Sequence, residues 1–233
     1  LLLDLTLHHV DELKPHLTIL LQTMRFSYIR KSLRAYRTGK IGDAALYEAA
    51  IYRSPSPEVA KQLGDLEGYY PEVDLDKLRK LPEGTLGREY AQFLDKQGIE
   101  PFTFSDEAKA EFRQDPYTVR YIVTHDLHHL LSGFDTGMAG ELGVFAVSYG
   151  QGVLTNRLFL WFAKAIVSLA TPTQFRRVLH NCRVGLAIGK RAKLLVGERL
   201  EDQFARPLAE ALVRGGLPVL EVTLRTPAAL EVI

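Results

Sequence analysis

Apolar residues return at intervals of three and four along almost the whole chain. Over 5–38, Leu13, Leu17, Leu20, Leu21, Met24, Ile29 and Leu33 keep that spacing, with Pro15 near the start and Gly39 as a stop, which predicts a helix or a helix pair. Ser54-Pro55-Ser56-Pro57 breaks the chain and restarts it with Pro57 in a first turn, and Gly68-Tyr69-Tyr70-Pro71 breaks it again. A short helix is expected over 74–80, a loop over 82–87, and a helix over 88–96 that puts Tyr90, Phe93 and Leu94 on one side and closes at Gly98. Ser105 starts the next helix. Pro116 ends it and opens another, read as continuous to about 131, with Val119, Ile122, Val123, Leu127 and Leu130 toward the core. Nearly everything from 141 to 170 is apolar, and Gly150-Gln151-Gly152 is expected to kink or split that helical region. Thr171-Pro172 opens a helix over 173–196, Gly197 separates it from a last one over 198–214, and 218–233 reads as a tail.

No run alternates apolar and polar residues with conviction, and no Asn-Gly or Asp-Gly hairpin signal occurs. The predicted fold is therefore all-α: one multi-helix bundle over 1–233 with an internal apolar pocket, and with 1–40 as an N-terminal amphipathic region. The basic face of that region, with Arg25, Arg30, Lys31, Arg34, Arg37 and Lys40, suits an anionic membrane surface, and equally a solvated helix face.

A net charge of +1, from 29 basic and 28 acidic side chains, gives no global pull toward nucleic acid. Cys182 stands alone, which excludes an internal disulfide and a cysteine zinc site and suits a reducing compartment. Its plain reading is a small packed residue. No secretory signal is read at the start. A membrane span is not expected either, because Gln151, Asn156, Arg157 and Lys164 interrupt the most apolar stretch, which is nonetheless greasy enough to line a lipid pocket.

The densest chemistry lies in His125-Asp126-Leu127-His128-His129 and, twelve residues on, Glu141. On a helix, positions i and i+4 share a face, so His125 and His129 can aim their rings at one point, whereas His128 lies about 100° round. The Ser132-to-Gly137 bend allows the chain to reverse and bring the Glu141 carboxylate back from a second helix. Two imidazoles and a carboxylate are a common ligand set for catalytic zinc. Asp126 is a candidate fourth ligand, a base, or a residue orienting a ligand from behind. The plainer reading of Asp126 and Glu141 is a capping or surface role, since an acid in a first turn is favoured by the helix dipole. Gly133, Gly137 and Gly140 make no phosphate loop, and Ser132 sits in no nucleophile elbow. His180 and Cys182, two apart on a helix, face different ways, and nothing around His180 and Asp202 asks for the further ligands of a histidine-aspartate phosphohydrolase.

His125, Asp126, His129 and Glu141, with Gly133, Thr136 and Gly140 between them, resemble the signature of the coenzyme Q biosynthesis protein 4 family. A second block, Leu81 to Tyr90 followed by Phe93-Leu94, is similar to that family's entry segment. A third, Glu198-Arg199 with Pro207-Leu208 and Leu212, falls near its C-terminal helix. The likeness runs from about residue 30 to 217. Asp135, the segment 101–117 and the end after Pro218 depart from it, as in a divergent bacterial relative. The resemblance implies an all-helical, membrane-peripheral homodimer that works on polyprenylated ring precursors of ubiquinone. It also implies oxidative decarboxylation of the ring, with the other biosynthetic enzymes as partners. The expected site is then His125, Asp126, His129 and Glu141 around a divalent ion, zinc first and magnesium or another ion as alternatives. Asp126 and Glu141 are the catalytic carboxylates, and Phe145, Trp161 and Phe162 hold the isoprenoid tail. The expected location is cytoplasmic on the inner face of the plasma membrane, or the matrix face in a mitochondrion. The alternatives are a non-catalytic prenyl-lipid scaffold and a metal-dependent hydrolase of a prenyl phosphate.

Overall fold

The computed structural model describes residues 27–52, 55–69 and 71–214. The first part of the helix expected over 5–38, and the tail 218–233, lie outside them. In chain order the α-helices are α1 (Ser27–Arg37), α2 (Ile41–Ile51), α3 (Pro57–Gly64), α4 (Leu75–Leu78), α5 (Leu86–Gln97) and α6 (Asp106–Glu111). They continue as α7 (Pro116–Val123), α8 (His125–Ser132), α9 (Met138–Gly150), α10 (Arg157–Ala170), α11 (Phe175–Arg191) and α12 (Leu208–Arg214). No β-strand occurs among the described residues, only an isolated bridge between Thr85 and Pro207. The fold is all-α, as the periodicity requires.

Several helix ends sit where local chemistry puts them. Ser56, Thr85, Ser105 and Asp115 each accept a hydrogen bond from the backbone N–H three residues on, satisfying a donor that the first turn leaves free. Gly39 and Gly98 close helices with positive φ.

The structure corrects the sequence reading at four places. α2 was not expected, because 41–51 is apolar on nearly every side and shows no helical stripe. The helix read as continuous over 116–131 breaks at Thr124, whose hydroxyl donates to the Arg120 carbonyl (2.7 Å) and competes with the helical ladder. The helix expected to reach 196 ends at Arg191, and a 3-10 turn, Leu195–Gly197, follows. The helix expected over 198–214 is a 3-10 turn, Leu200–Gln203, followed by α12, because Pro207 cannot continue a helix through its missing N–H.

Two packing arrangements place the site. α9 is buried on both sides, with Leu142 and Ala146 in one apolar cluster and Val144 and Val147 in another, and it lies against α11 in the most extensive helix pair among the described residues. Small residues let the two backbones meet. A Cβ at Gly185 would come 2.3 Å from the Gly143 carbonyl, and one at Gly189 would come 2.2 Å from that of Val147. The Asn181 amide donates to the Ala139 carbonyl (2.8 Å) in the same seam. The second arrangement is Arg120, fully buried on α7. It donates to Glu201 (2.6 and 3.2 Å) and to the carbonyls of Val196 (3.2 Å) and Glu198 (2.8 Å). These bonds tie the helix ahead of α8 to the C-terminal segment. That segment in turn meets the start of α5, where Leu86 and Gly87 donate to the carbonyls of Arg206 and Phe204. The 81–90 block and the 198–212 block, apart in sequence, thus form one contact.

Candidate metal centre

α8 begins at His125, so His125 and His129 lie one turn apart on the same face, their rings 4.9 Å apart and nearly perpendicular. Gly133, at φ 71°, ends the helix, and its N–H donates to the His129 carbonyl. The chain then doubles back. Asp135 accepts from the N–H of Gly137 (2.9 Å) and pairs with Arg177 of α11, and its carbonyl lies against Gly140, where a Cβ would meet it at 1.8 Å. Only glycine fits at 140, and this close approach starts α9 with Glu141 in its first turn.

The reversal brings three ligand atoms together. His125 Nε2 lies 3.2 Å from Glu141 Oε2 and 3.2 Å from His129 Nε2, and His129 Nε2 lies 3.3 Å from Glu141 Oε1. His129 Nδ1 lies 3.2 Å from the Phe134 carbonyl. A carbonyl can only accept, so Nδ1 carries the proton and Nε2 presents a lone pair toward the other two groups. With both rings neutral, two imidazoles and a carboxylate this close together present lone pairs that a shared cation can take. Ligands about 2.1 Å from a tetrahedral ion stand roughly 3.4 Å apart, so the donor set and its spacing fit a divalent ion such as zinc. Burial grades across the triad: the His129 side chain is fully enclosed, with Phe93 stacked against it, while 45% of Glu141 is exposed. Burial alone would push the Glu141 carboxyl up, but hydrogen bonds and charge from both histidines, when their Nε2 atoms are protonated, outweigh it and hold the pKa at about 2.

Asp126 is not in this set. It follows His125 by one residue and so points about 100° away. It is buried and lines a neighbouring cavity with Asp43 and Phe104, and its carboxylate is not among the atoms that converge with those of His125, His129 and Glu141. Burial raises its pKa, against the pull of His125 and His129. His128 faces the interior, and burial first, then the charges of His125, His129 and Arg120, lower its pKa to about 3.

Beside the triad lies an open cleft of about 480 Å³, to which His125 and Glu141 contribute directly. Its walls come from α2 (Ala45, Glu48, then Tyr52), α7 (Tyr121, Ile122), α9 (Met138, Leu142, Phe145), α10 (Phe159, Ala163, Val167) and Phe102. Of the three side chains expected to hold a tail, Phe145 is here. Trp161 and Phe162 face solvent instead, because Phe159, Ala163 and Val167, spaced by four, turn the other side of α10 to the cleft. Glu48 and Tyr52 were missed with the helix that carries them. The signal available was a lone charge, Glu48, in the otherwise uncharged run 44–52. Burial, the largest influence, raises the Glu48 pKa, His125 pulls it down, and Glu141 adds a smaller upward push.

Residues 70–217 match the family model described as coenzyme Q (ubiquinone) biosynthesis protein Coq4. The mitochondrial ubiquinone biosynthesis protein COQ4 homolog of Mus musculus is 32% identical over 139 residues, 58% of this chain and 51% of that protein. The homolog of Nematostella vectensis is 35% identical over 167 residues, covering 68% and 78% of the two chains. The chain spans about half the length of the mammalian relatives it matches. A crystal structure from Nostoc punctiforme PCC 73102, described as a candidate ubiquinone biosynthesis protein, shares the fold. Its TM-score is 0.56 at 23% identity, over 86% of this chain and 96% of that one.

Proposed function

The chain belongs to the Coq4 family of coenzyme Q (ubiquinone) biosynthesis proteins, and on that premise we propose that it binds a polyprenylated hydroxybenzoate-type lipid beside a divalent metal and supports removal of the ring carboxylate. The observation that carries this reading is the convergence of His125, His129 and Glu141 at the wall of an apolar cleft. A site for such a lipid needs one polar end for the acid and a greasy wall for the chain.

Each residue has a role under this reading. The Phe134 carbonyl fixes the His129 tautomer, and Phe93 holds the ring in place. Glu141, half open to the cleft, is the ligand nearest an incoming head group. Asp126, buried behind the imidazoles, supplies negative charge that favours a cation at the triad. Zinc, or another divalent ion, would supply a Lewis acid that polarises the carboxylate or phenolate of the head group. Phe102, Leu142, Phe145 and Phe159 shield the ring from water, and Ala163 and Val167 leave a shallow track for an isoprenoid.

A membrane-surface location is part of the proposal. No helix among the described residues is long and apolar enough to cross a membrane. Yet the outer face of α10 exposes Trp161, Phe162, Ile166 and Leu169, and it belongs to a stretch, 142–197, without a single Asp or Glu. Lys164 on α10 and the exposed Arg176 and Arg183 on α11 give this acid-free stretch positive charge, which suits a surface of anionic lipids. α1 adds exposed Leu33 and Tyr36 among Arg30, Arg34 and Arg37. The cytoplasmic or matrix face of an energy-conserving membrane, a homodimer, and other quinone-biosynthesis proteins as partners complete the reading.

The test is metal analysis of protein purified without chelator, beside carbon dioxide release from a prenylated 4-hydroxybenzoate. Wild type is expected to carry about one zinc per chain and His129→Ala a small fraction of that. His129→Ala with full metal content sinks the site. Lipid binding without turnover in metal-loaded wild type would leave the scaffold alternative in its place.

A further inference from the structure

Glu48 is an acid with no part in the triad, yet it opens onto the same cleft. Tyr52 stands one turn after it on the same face, and the Tyr52 ring meets that of Tyr121 on α7 edge to face at 6.4 Å. These three are the polar members of the lining besides His125 and Glu141. The rest of the wall is apolar, and it is built from rings: Tyr52 stacks on Phe159 at 5.2 Å, and Phe145 closes on both at 5.5 and 6.4 Å. The cleft therefore carries two polar groupings of unlike kind, set side by side, since the Tyr121 ring lies 6.5 Å from that of His125. The triad takes an anion through a cation. Glu48, a carboxyl with two phenols beside it in the lining, disfavours a second anion and offers acceptors for a hydroxyl.

We propose that Glu48, with the hydroxyls of Tyr52 and Tyr121, forms a second subsite that accepts the hydrogen bond of a ring hydroxyl on the bound head group, so that the acid and the hydroxyl of one aromatic ring are read by different groups of one cleft. This rests on the reading of the cleft as a head-group site. Glu48 is a specificity-determining residue: it touches substrate and leaves the metal ligands unchanged. An acceptor with a built partner position rejects an analogue that lacks the hydroxyl, because the acceptor has then lost water and gained nothing.

The experiment compares 3-prenyl-4-hydroxybenzoate with 3-prenylbenzoate, which lacks only the hydroxyl, by calorimetric titration into the full zinc-loaded chain. Wild type is expected to prefer the hydroxylated ligand by roughly 10- to 100-fold. Glu48→Ala should bring the ratio to within about threefold, chiefly by weakening the hydroxylated ligand, and Glu48→Gln, which keeps an acceptor, should restore part of it. Zinc content and helical circular dichroism should stay at wild-type values in both variants, since Glu48 is solvent-accessible and outside the triad. Equal binding of both ligands by wild type, or a preference that survives Glu48→Ala, overturns the subsite while leaving the metal-site reading intact. Zinc-loaded wild type that binds neither ligand overturns the head-group reading itself, and the subsite with it.

Discussion

A single methyl group at Gly140 probes the backbone reversal that assembles the triad. A Cβ there would lie 1.8 Å from the Asp135 carbonyl oxygen, where real Cβ atoms essentially never come under 3.0 Å, so the turn and the start of α9 must part by more than an ångström. Glu141 is the next residue, and His129 is held to the same turn through the Phe134 carbonyl, so the displacement falls directly on the three ligand atoms. Overpacking of this kind costs about 1–3 kcal/mol. Disturbing the contacts that orient metal ligands typically costs about 10- to 100-fold in affinity. Gly64 is the control, because it ends α3 with nothing within 4 Å of a built Cβ. There the same change should stabilise by up to about 1 kcal/mol, since alanine has less backbone freedom to lose. Thermal unfolding should place Gly140→Ala roughly 2–12 °C below wild type and Gly64→Ala about 1–4 °C above it. Competition with a chromogenic chelator should find zinc affinity lowered only in Gly140→Ala. A Gly140→Ala protein with wild-type melting and wild-type zinc affinity would refute the geometry of the reversal.

Three further outcomes follow from other parts of the structure. Glu201→Ala leaves the Arg120 guanidinium buried without its counter-ion and should cost about 3–5 kcal/mol by urea unfolding, whereas Arg120→Met with Glu201→Leu should recover much of it; a harmless single change would discount the pair. His128 holds its pKa at about 3 in the fold against about 6.5 in the unfolded chain, so only the unfolded chain takes up that proton between those values. Its contribution to stability is full above pH 6.5 and falls by up to about 1.4 kcal/mol per unit as pH drops toward 3. His128→Leu should flatten that limb of the stability profile, and an unchanged profile would count against a neutral buried ring. Trp161, the one tryptophan of the chain and 55% exposed, reports on α10 directly. Its emission should shift to the blue with anionic vesicles and return as salt is raised, and should stay unmoved with neutral ones.

The sequence by itself determined the fold class and the histidine pair. Apolar recurrence at threes and fours, punctuated by Pro57, Pro116 and the glycines at 39, 98 and 133, is local information, and each helix end follows from a backbone group that must be satisfied within a few residues. The i, i+4 placement of His125 and His129 is fixed by helical geometry alone. Tertiary structure decided the rest. Whether Glu141 or Asp126 joins the histidines depends on the Asp135 carbonyl resting against Gly140, a contact between parts of the chain that only the packing of α9 on α11 holds in place. Which side of α10 meets the cleft depends on what packs against it, since both sides are apolar, and so Phe159 lines the site where Trp161 and Phe162 do not. α2, with Glu48, has no stripe to betray it because neighbours surround it. Hydrophobic pattern locates a surface only where one side of an element faces water, and the functional part of this protein lies where that contrast is lost.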